Sequence, residues 1–246
     1  DGLREHASGG VDVRMAAEVA REVLARSFRN QEAREKGEHI QVRTGFDELD
    51  DLTGGLYRGE LAVLSGRPSM GKTAVALHMA LQAARAGRNT LYFSIEMSEE
   101  EVTERILSML SGVEAGKIRF KGTNREERAL LEKAAAELAG LPLRIVYCGS
   151  LAIDEIRAVL MTRKARRELD VFFIDYLNLI HIPYTRGSRN ETTDLALGDV
   201  VRKVKLMAVE LDVPAVLLAQ MNRDSDRRLA HYLPILSDLR NSGAIE

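Results

Sequence analysis

GRPSMGKT, residues 66–73, decides how this chain is read. Gly66, four free positions, then Gly71, Lys72 and Thr73 give the spacing of a phosphate-holding loop, yet chance alone supplies such a match in roughly one chain in a hundred of this length. The flanks therefore carry the decision. Before the loop, ELAVLSG (60–66) is a short apolar run that reads as a buried strand; after it, Val75, Leu77, Met79, Ala80 and Ala83 are available for packing along a helix from about 72 to 86. A glycine-containing turn that leaves a strand and opens a helix is the context such a loop needs. Gly66 and Gly71 let the backbone turn tightly and aim N–H groups inward, and the helix N-terminus adds a favourable end for an anion. Gly66, Arg67, Pro68, Ser69, Met70, Gly71, Lys72 and Thr73 are thus the expected cradle for a nucleoside triphosphate. Lys72 is placed to reach the β and γ phosphates, and the Thr73 hydroxyl to ligate Mg²⁺.

The rest of the chain repeats the alternation. NTLYFSIE (89–96), LRIVYC (143–148), VFFID (171–175) and AVLLAQ (215–220) read as strands, separated by helical patterns at EEEVTERILSML and near 124–139, 151–167 and 194–211. Apolar strands separated by helices predict an α/β fold with a mostly parallel sheet covered on both faces. Ahead of this, Ala16, Val19, Ala20, Val23, Leu24 and Phe28 recur at helical spacing within 11–36, and Gly37 is placed to end that helix. Periodicity leaves open whether its apolar stripe packs on its own domain or on a neighbouring chain. Residues 40–60 form a polar, glycine-rich connection in which TGFDELDDL reads as a short helix.

Composition narrows the class. The 246 residues are 45% hydrophobic and 29% charged, which excludes a disordered chain. With 35 Lys and Arg against 37 Asp and Glu, the molecule as a whole is no cationic nucleic-acid coat, so any such binding falls to local clusters. The single cysteine, Cys148, forms no internal disulfide, and no apolar run reaches the length of a membrane span. A cytoplasmic protein is the expectation. The first residue is not Met and NSGAIE offers no cap or tail, so a fragment of a longer protein is expected as well.

Three strand ends supply candidate chemistry, because ligands of an open parallel sheet gather beyond the carboxyl ends of its strands. Asp175 ends VFFID and is the better reading as a Mg²⁺ ligand than as a turn residue. Glu96 ends NTLYFSIE, placed to orient or deprotonate a water attacking the γ-phosphate; Glu99 and Glu100 suit the alternative job of capping the next helix. Gln220 ends AVLLAQ and reads equally as a sensor of the γ-phosphate or as a solvated loop residue. The polar segments beyond, 181–194 with Arg186 and Arg189 and 221–232 with Arg223, Arg227 and Arg228, read on residue grounds as solvated loops, with nucleic-acid contact as the alternative. RKARR (163–167) reads as a solvated cationic helix end.

Taken in order, TGFDELDDLTGGLYRGEL, GRPSMGKT, YFSIEMS, VFFIDYLNLI, LLAQMNRD and LSDLRNSGAIE resemble the DnaB-type replicative helicases, specifically their RecA-like motor domain with the linker helix before it. The resemblance spans nearly the whole chain. It implies a linker-helix region over 1–39 and a RecA-like ATPase domain over 40–246. It implies a ring, usually hexameric, that hydrolyses ATP with Mg²⁺ while moving along single-stranded DNA, with the helix near 11–36 docked on the adjacent subunit. It places Lys72 and Thr73 at phosphate and Mg²⁺, Glu96 as catalytic base, Asp175 at the metal and Gln220 as coupling residue. It sets the loops at 181–193 and 221–236 in the DNA channel, and Arg240 near the DNA. Two departures stand out. Asn241 occupies a position where the family commonly has an acid, and the sequence ends at Glu246, before the family's arginine finger, so weak hydrolysis by this stretch alone is expected. The amino-terminal domain that contacts primase in the family is absent from the sequence, and primase and a helicase loader are expected partners through such regions. A RecA-like recombinase or repair ATPase and a nucleotide-gated docking module without motor activity are the competing readings.

Overall fold

Short apolar runs alternating with long helical stretches fold, in the computed structural model of this chain, into one parallel sheet packed between helices. The structure describes residues 14–37, 40–67, 69–147, 149, 153–175 and 191–220, the side chains of residues 34 and 191–197 excepted. The chain divides into two compact units, 1–40 and 41–246. Within the first lies α1 (Ala16–Glu35), whose Val19, Val23, Leu24 and Phe28 are exposed.

The second unit begins with a stapled turn. Asp50 is buried in α2 (Asp47–Thr53), and its carboxylate accepts from the Thr44 N–H at 2.8 Å, the Gly45 N–H at 3.2 Å and Arg43 Nε at 3.2 Å. Gly54, at φ +77°, ends α2 in the left-handed conformation that glycine adopts without penalty. Then follow β1 (Leu61–Gly66), α3 (Lys72–Arg85), β2 (Thr90–Ser94), α4 (Glu99–Ser111), a π-helical turn (Lys117–Lys121), α5 (Arg125–Ala139), β3 (Leu143–Tyr147), α6 (Ile153–Ala165), β4 (Val171–Asp175), α7 (Glu191–Leu211) and β5 (Ala215–Gln220).

The strands lie in the order β1-β5-β4-β2-β3, every neighbouring pair parallel. Alternate side chains point to opposite faces, and each face has its own core. Leu91, Phe93, Phe172, Ile174 and Leu217 meet α6 and α7, whereas Tyr92, Val171, Phe173, Val216 and Leu218 meet α3 and α4. The central strands β2, β4 and β5 are buried almost throughout. β1 and β3, which look equally apolar in sequence, are only half-buried because they stand at the edges of the described sheet. The π-helical turn is an element that the sequence pattern does not predict, and RKARR is less solvated than expected: Arg163 pairs with Glu168 at 2.8 Å, and partial burial pushes the Lys164 ammonium below the usual lysine value. No helix among the described residues is long and apolar enough to cross a membrane.

This topology fixes where chemistry can occur. The chain crosses from β1 to β2 over the space that β4 and β5 later fill, so the loop after β1 faces the ends of β5 and β4. Gly66 lies in register with Gln220, and Ser94 with Asp175.

Candidate nucleotide site

The loop between β1 and α3 is shaped by two left-handed residues, Ser69 at φ +62° and Gly71 at φ +85°. At Gly71 a side chain would be strained even though space is open around it; at Gly66 a Cβ would sit 3.3 Å from Lys72 Cγ, so glycine there lets the lysine lie across the loop. Lys72 Nζ donates to the carbonyls of Gly66 at 2.9 Å and Arg67 at 3.0 Å. Helix α3 has no side-chain cap and no acid in its first turn, whereas α4, α5 and α6 each carry acids there. Its positive end is thus left for an outside anion.

Around this loop three charged groups gather, Lys72 at the start of α3, Glu96 beyond β2 and Asp175 at the end of β4. Partial burial lowers the Lys72 ammonium below its ordinary value, while the carboxylates of Asp175 and Glu96 act to raise it. Asp175, 6% exposed at the end of β4, has its carboxyl raised by burial; hydrogen bonds from Tyr92 and Thr73 and the charges of Lys72 and Arg105 oppose that shift. Glu96 sits two residues past the end of β2, exposed, in the bend between β2 and α4. It does not cap α4: Ser98 does, in a capping box with Glu101. Backbone pairing runs on past β2, the Ile95 N–H donating to the Asp175 carbonyl at 2.8 Å, and so ties the base of this bend to the end of β4.

Lys72, Thr73, Asp175 and Glu96 are therefore brought to one end of the sheet, and Gln220 ends the strand between Asp175 and the loop. Met70 is exposed at the loop's tip. Pro68 of the loop and Arg186, Arg189, Arg223, Arg227, Arg228 and Arg240 lie outside the described residues. The donors suit a triphosphate with Mg²⁺: helix N–H groups and an ammonium for phosphate, hard oxygens from Thr73 and Asp175 for the cation. Among the described residues no group of three or more His, Cys, Asp or Glu side chains gathers into a metal cage. Mg²⁺ is usually held by one or two carboxylates plus phosphates and water, so none is needed.

Sequence reasoning passes over Tyr92, whose hydroxyl bonds Asp175 at 2.8 Å, and Arg105, whose charge reaches both groups. A tyrosine inside a buried strand is the available signal, since its hydroxyl requires a partner there.

Sheet order, the glycine loop after β1 and the strand-end carboxylate together define a RecA-like fold of the P-loop class. Residues 41–246 match the DnaB-like helicase C terminal domain family. The chain belongs to that family. It is 36% identical over 211 residues to the replicative DNA helicase DnaB of Leifsonia xyli, covering 85% of this chain and 45% of that protein. To the corresponding protein of Rickettsia bellii it is 32% identical, covering 99% of this chain and 50% of the relative. Solved structures similar in fold include the following two. One is an ATPase domain, with TM-score 0.80, 29% identity and coverage of 92% of this chain and 78% of that one. The other is a DnaB-like replicative helicase studied with its interactions with primase, with TM-score 0.79, 28% identity and coverage of 97% and 55%. The chain spans about half the length of the curated relatives it matches.

Proposed function

We propose that this chain is the motor part of an ATP-driven replicative DNA helicase, with residues 40–246 as the RecA-like motor and 1–39 as the linker-helix region. The observation that carries the reading is the gathering of Lys72, Thr73, Asp175 and Glu96 at one end of a parallel sheet in a member of this family. Lys72 exchanges the two carbonyls of its own loop for β- and γ-phosphate oxygens of ATP. Thr73 and Asp175 would hold Mg²⁺, which when bound neutralises charge on those oxygens. Glu96 takes the proton of the attacking water, whose oxygen bonds to the γ-phosphorus as ADP leaves. Gln220, in register with Gly66, couples the state of the nucleotide to the segment beyond β5.

The proposal includes a cytoplasmic homo-hexameric ring, assembled through α1 and threaded by single-stranded DNA. Arg186, Arg189, Arg223, Arg227, Arg228 and Arg240 enter it as DNA contacts on the family resemblance. Primase and a loader are proposed partners of the longer protein; one structure similar in fold concerns a helicase together with its interactions with primase.

The test is Glu96→Gln in the full-length protein. ATP affinity is expected within about twofold of wild type while DNA-stimulated hydrolysis falls about a hundredfold or more, and forked-duplex unwinding is lost. Unchanged turnover would remove Glu96 from the catalytic role. Strand pairing without unwinding by the wild-type protein would move it to the recombinases.

A further inference from the structure

Tyr92 lies in the middle of β2 with no exposed surface, on the face packed by α3 and α4. Its ring stacks on Phe173 of β4, centroids 5.9 Å apart, and its hydroxyl reaches along β4 to donate to Oδ2 of Asp175 at 2.8 Å. Phenylalanine would supply the same apolar packing, so what the hydroxyl adds is the bond to the carboxylate. An ionised carboxylate only accepts hydrogen bonds, and this one is buried, with protein donors in place of most of its water.

We infer that Tyr92 is a positioning residue for the divalent cation: it holds Asp175 by Oδ2, fixing which way the carboxylate faces beside Thr73. The inference rests on the nucleotide-binding reading above. A carboxylate free to turn about its last bond must be ordered when the cation arrives, whereas one already held loses less freedom. Partners of metal ligands commonly act in this way without touching the metal. The two parallel strands make the contact possible: Tyr92 is in register with Phe173 and shares a face with Asp175, two residues on.

The experiment titrates a fluorescent ADP analogue into the full-length protein with saturating Mg²⁺ and again in EDTA. The ratio of the two affinities reads the cation's contribution without any turnover. In Tyr92→Phe this ratio is expected to fall about tenfold, the scale of one hydrogen bond to a charged group, with affinity in EDTA kept within about twofold. The Mg²⁺ concentration for half-maximal hydrolysis rises in parallel. Tyr92→Met removes the hydroxyl in a different shape and must show the same fall. Phe173→Leu loosens the aromatic pair but leaves the hydroxyl, and should keep the wild-type ratio. An unchanged ratio in Tyr92→Phe, a fall in only one of the two Tyr92 variants, or an equal fall in Phe173→Leu overturns the inference and leaves the nucleotide site standing. Wild-type affinity that is the same in Mg²⁺ and EDTA overturns the cation site and the inference together.

Discussion

Asp50 shows how much one buried carboxylate organises. It anchors the start of the second unit by accepting from two successive backbone N–H groups, Thr44 and Gly45, that a turn otherwise leaves without acceptors. Thr44 is itself buried, so water cannot replace the lost partner. Asp50→Ala is expected to cost about 2–3 kcal/mol, the penalty for orphaning the buried Thr44 N–H together with the lost bonds from Gly45 and Arg43. Asp50→Asn should cost less, because one amide oxygen can still accept. Urea midpoints of the two variants check the order. The short helix is legible in TGFDELDDL, but the role of its fourth residue is not, since Asp47, Asp50 and Asp51 are alike in sequence and only the fold buries one of them. The same holds at the candidate nucleotide site. Lys72, Asp175 and Glu96 announce themselves by standing next to a loop or at strand ends, whereas Tyr92 looks like one more core residue until β4 is laid beside β2.

Among the elements, α4 and α5 begin on capping boxes, Ser98 with Glu101 and Asn124 with Glu127. Asn124→Ala is expected to lower stability by about 1 kcal/mol in urea unfolding. The same helix start gives an acid dependence with a definite sign. A hydrogen bond from Lys117, then one from the Asn124 N–H, hold the Glu127 carboxyl below the usual glutamate value. A depressed folded value stabilises the protein above the unfolded one and stops doing so as pH falls through it. Stability of the α4–α5 hairpin should therefore decline in acid below the ordinary glutamate range, with Glu101, held down by Arg119 and the Ser98 N–H, adding to the decline. Glu127→Gln should be less stable than wild type at neutral pH but lose less on acidification. Hydrogen exchange of α5 amides across pH, corrected for intrinsic rates, would reveal a slope that is shallower in the variant. Helix starts of this kind are written locally, as a cap followed three residues later by a glutamate, and so can be read in advance. The π-helical turn between them has no such signature, and an apolar run such as ELAVLSG does not say whether its strand will stand at an edge or in the middle.

At the scale of the whole molecule, strand order is the part hidden from sequence, because it depends on which strands the crossings leave room for. Alternation alone predicts a parallel sheet; that β5 and β4 lie between β1 and β2, and so bring Gln220 and Asp175 beside the loop, emerges only from pairing. The apolar stripe of α1 poses the opposite problem, for the pattern is plain and the partner is not. Val23, Leu24 and Phe28 are 46%, 55% and 59% exposed, so three large apolar side chains remain open to water along one helix. Covering such a side chain fully is worth about 1.5–3 kcal/mol, enough for a repeated contact between copies to hold a ring. If α1 docks on a neighbouring subunit, Leu24→Asp with Phe28→Asp in the full-length protein should reduce the mass measured with ATP and single-stranded DNA from a ring to smaller species. The unfolding free energy of the second unit should change little, by about 0.5 kcal/mol or less, as for surface substitutions. A ring of unchanged mass would mean that assembly rests on another face, and a second unit that loses several times that stability would mean that the stripe is covered within its own chain.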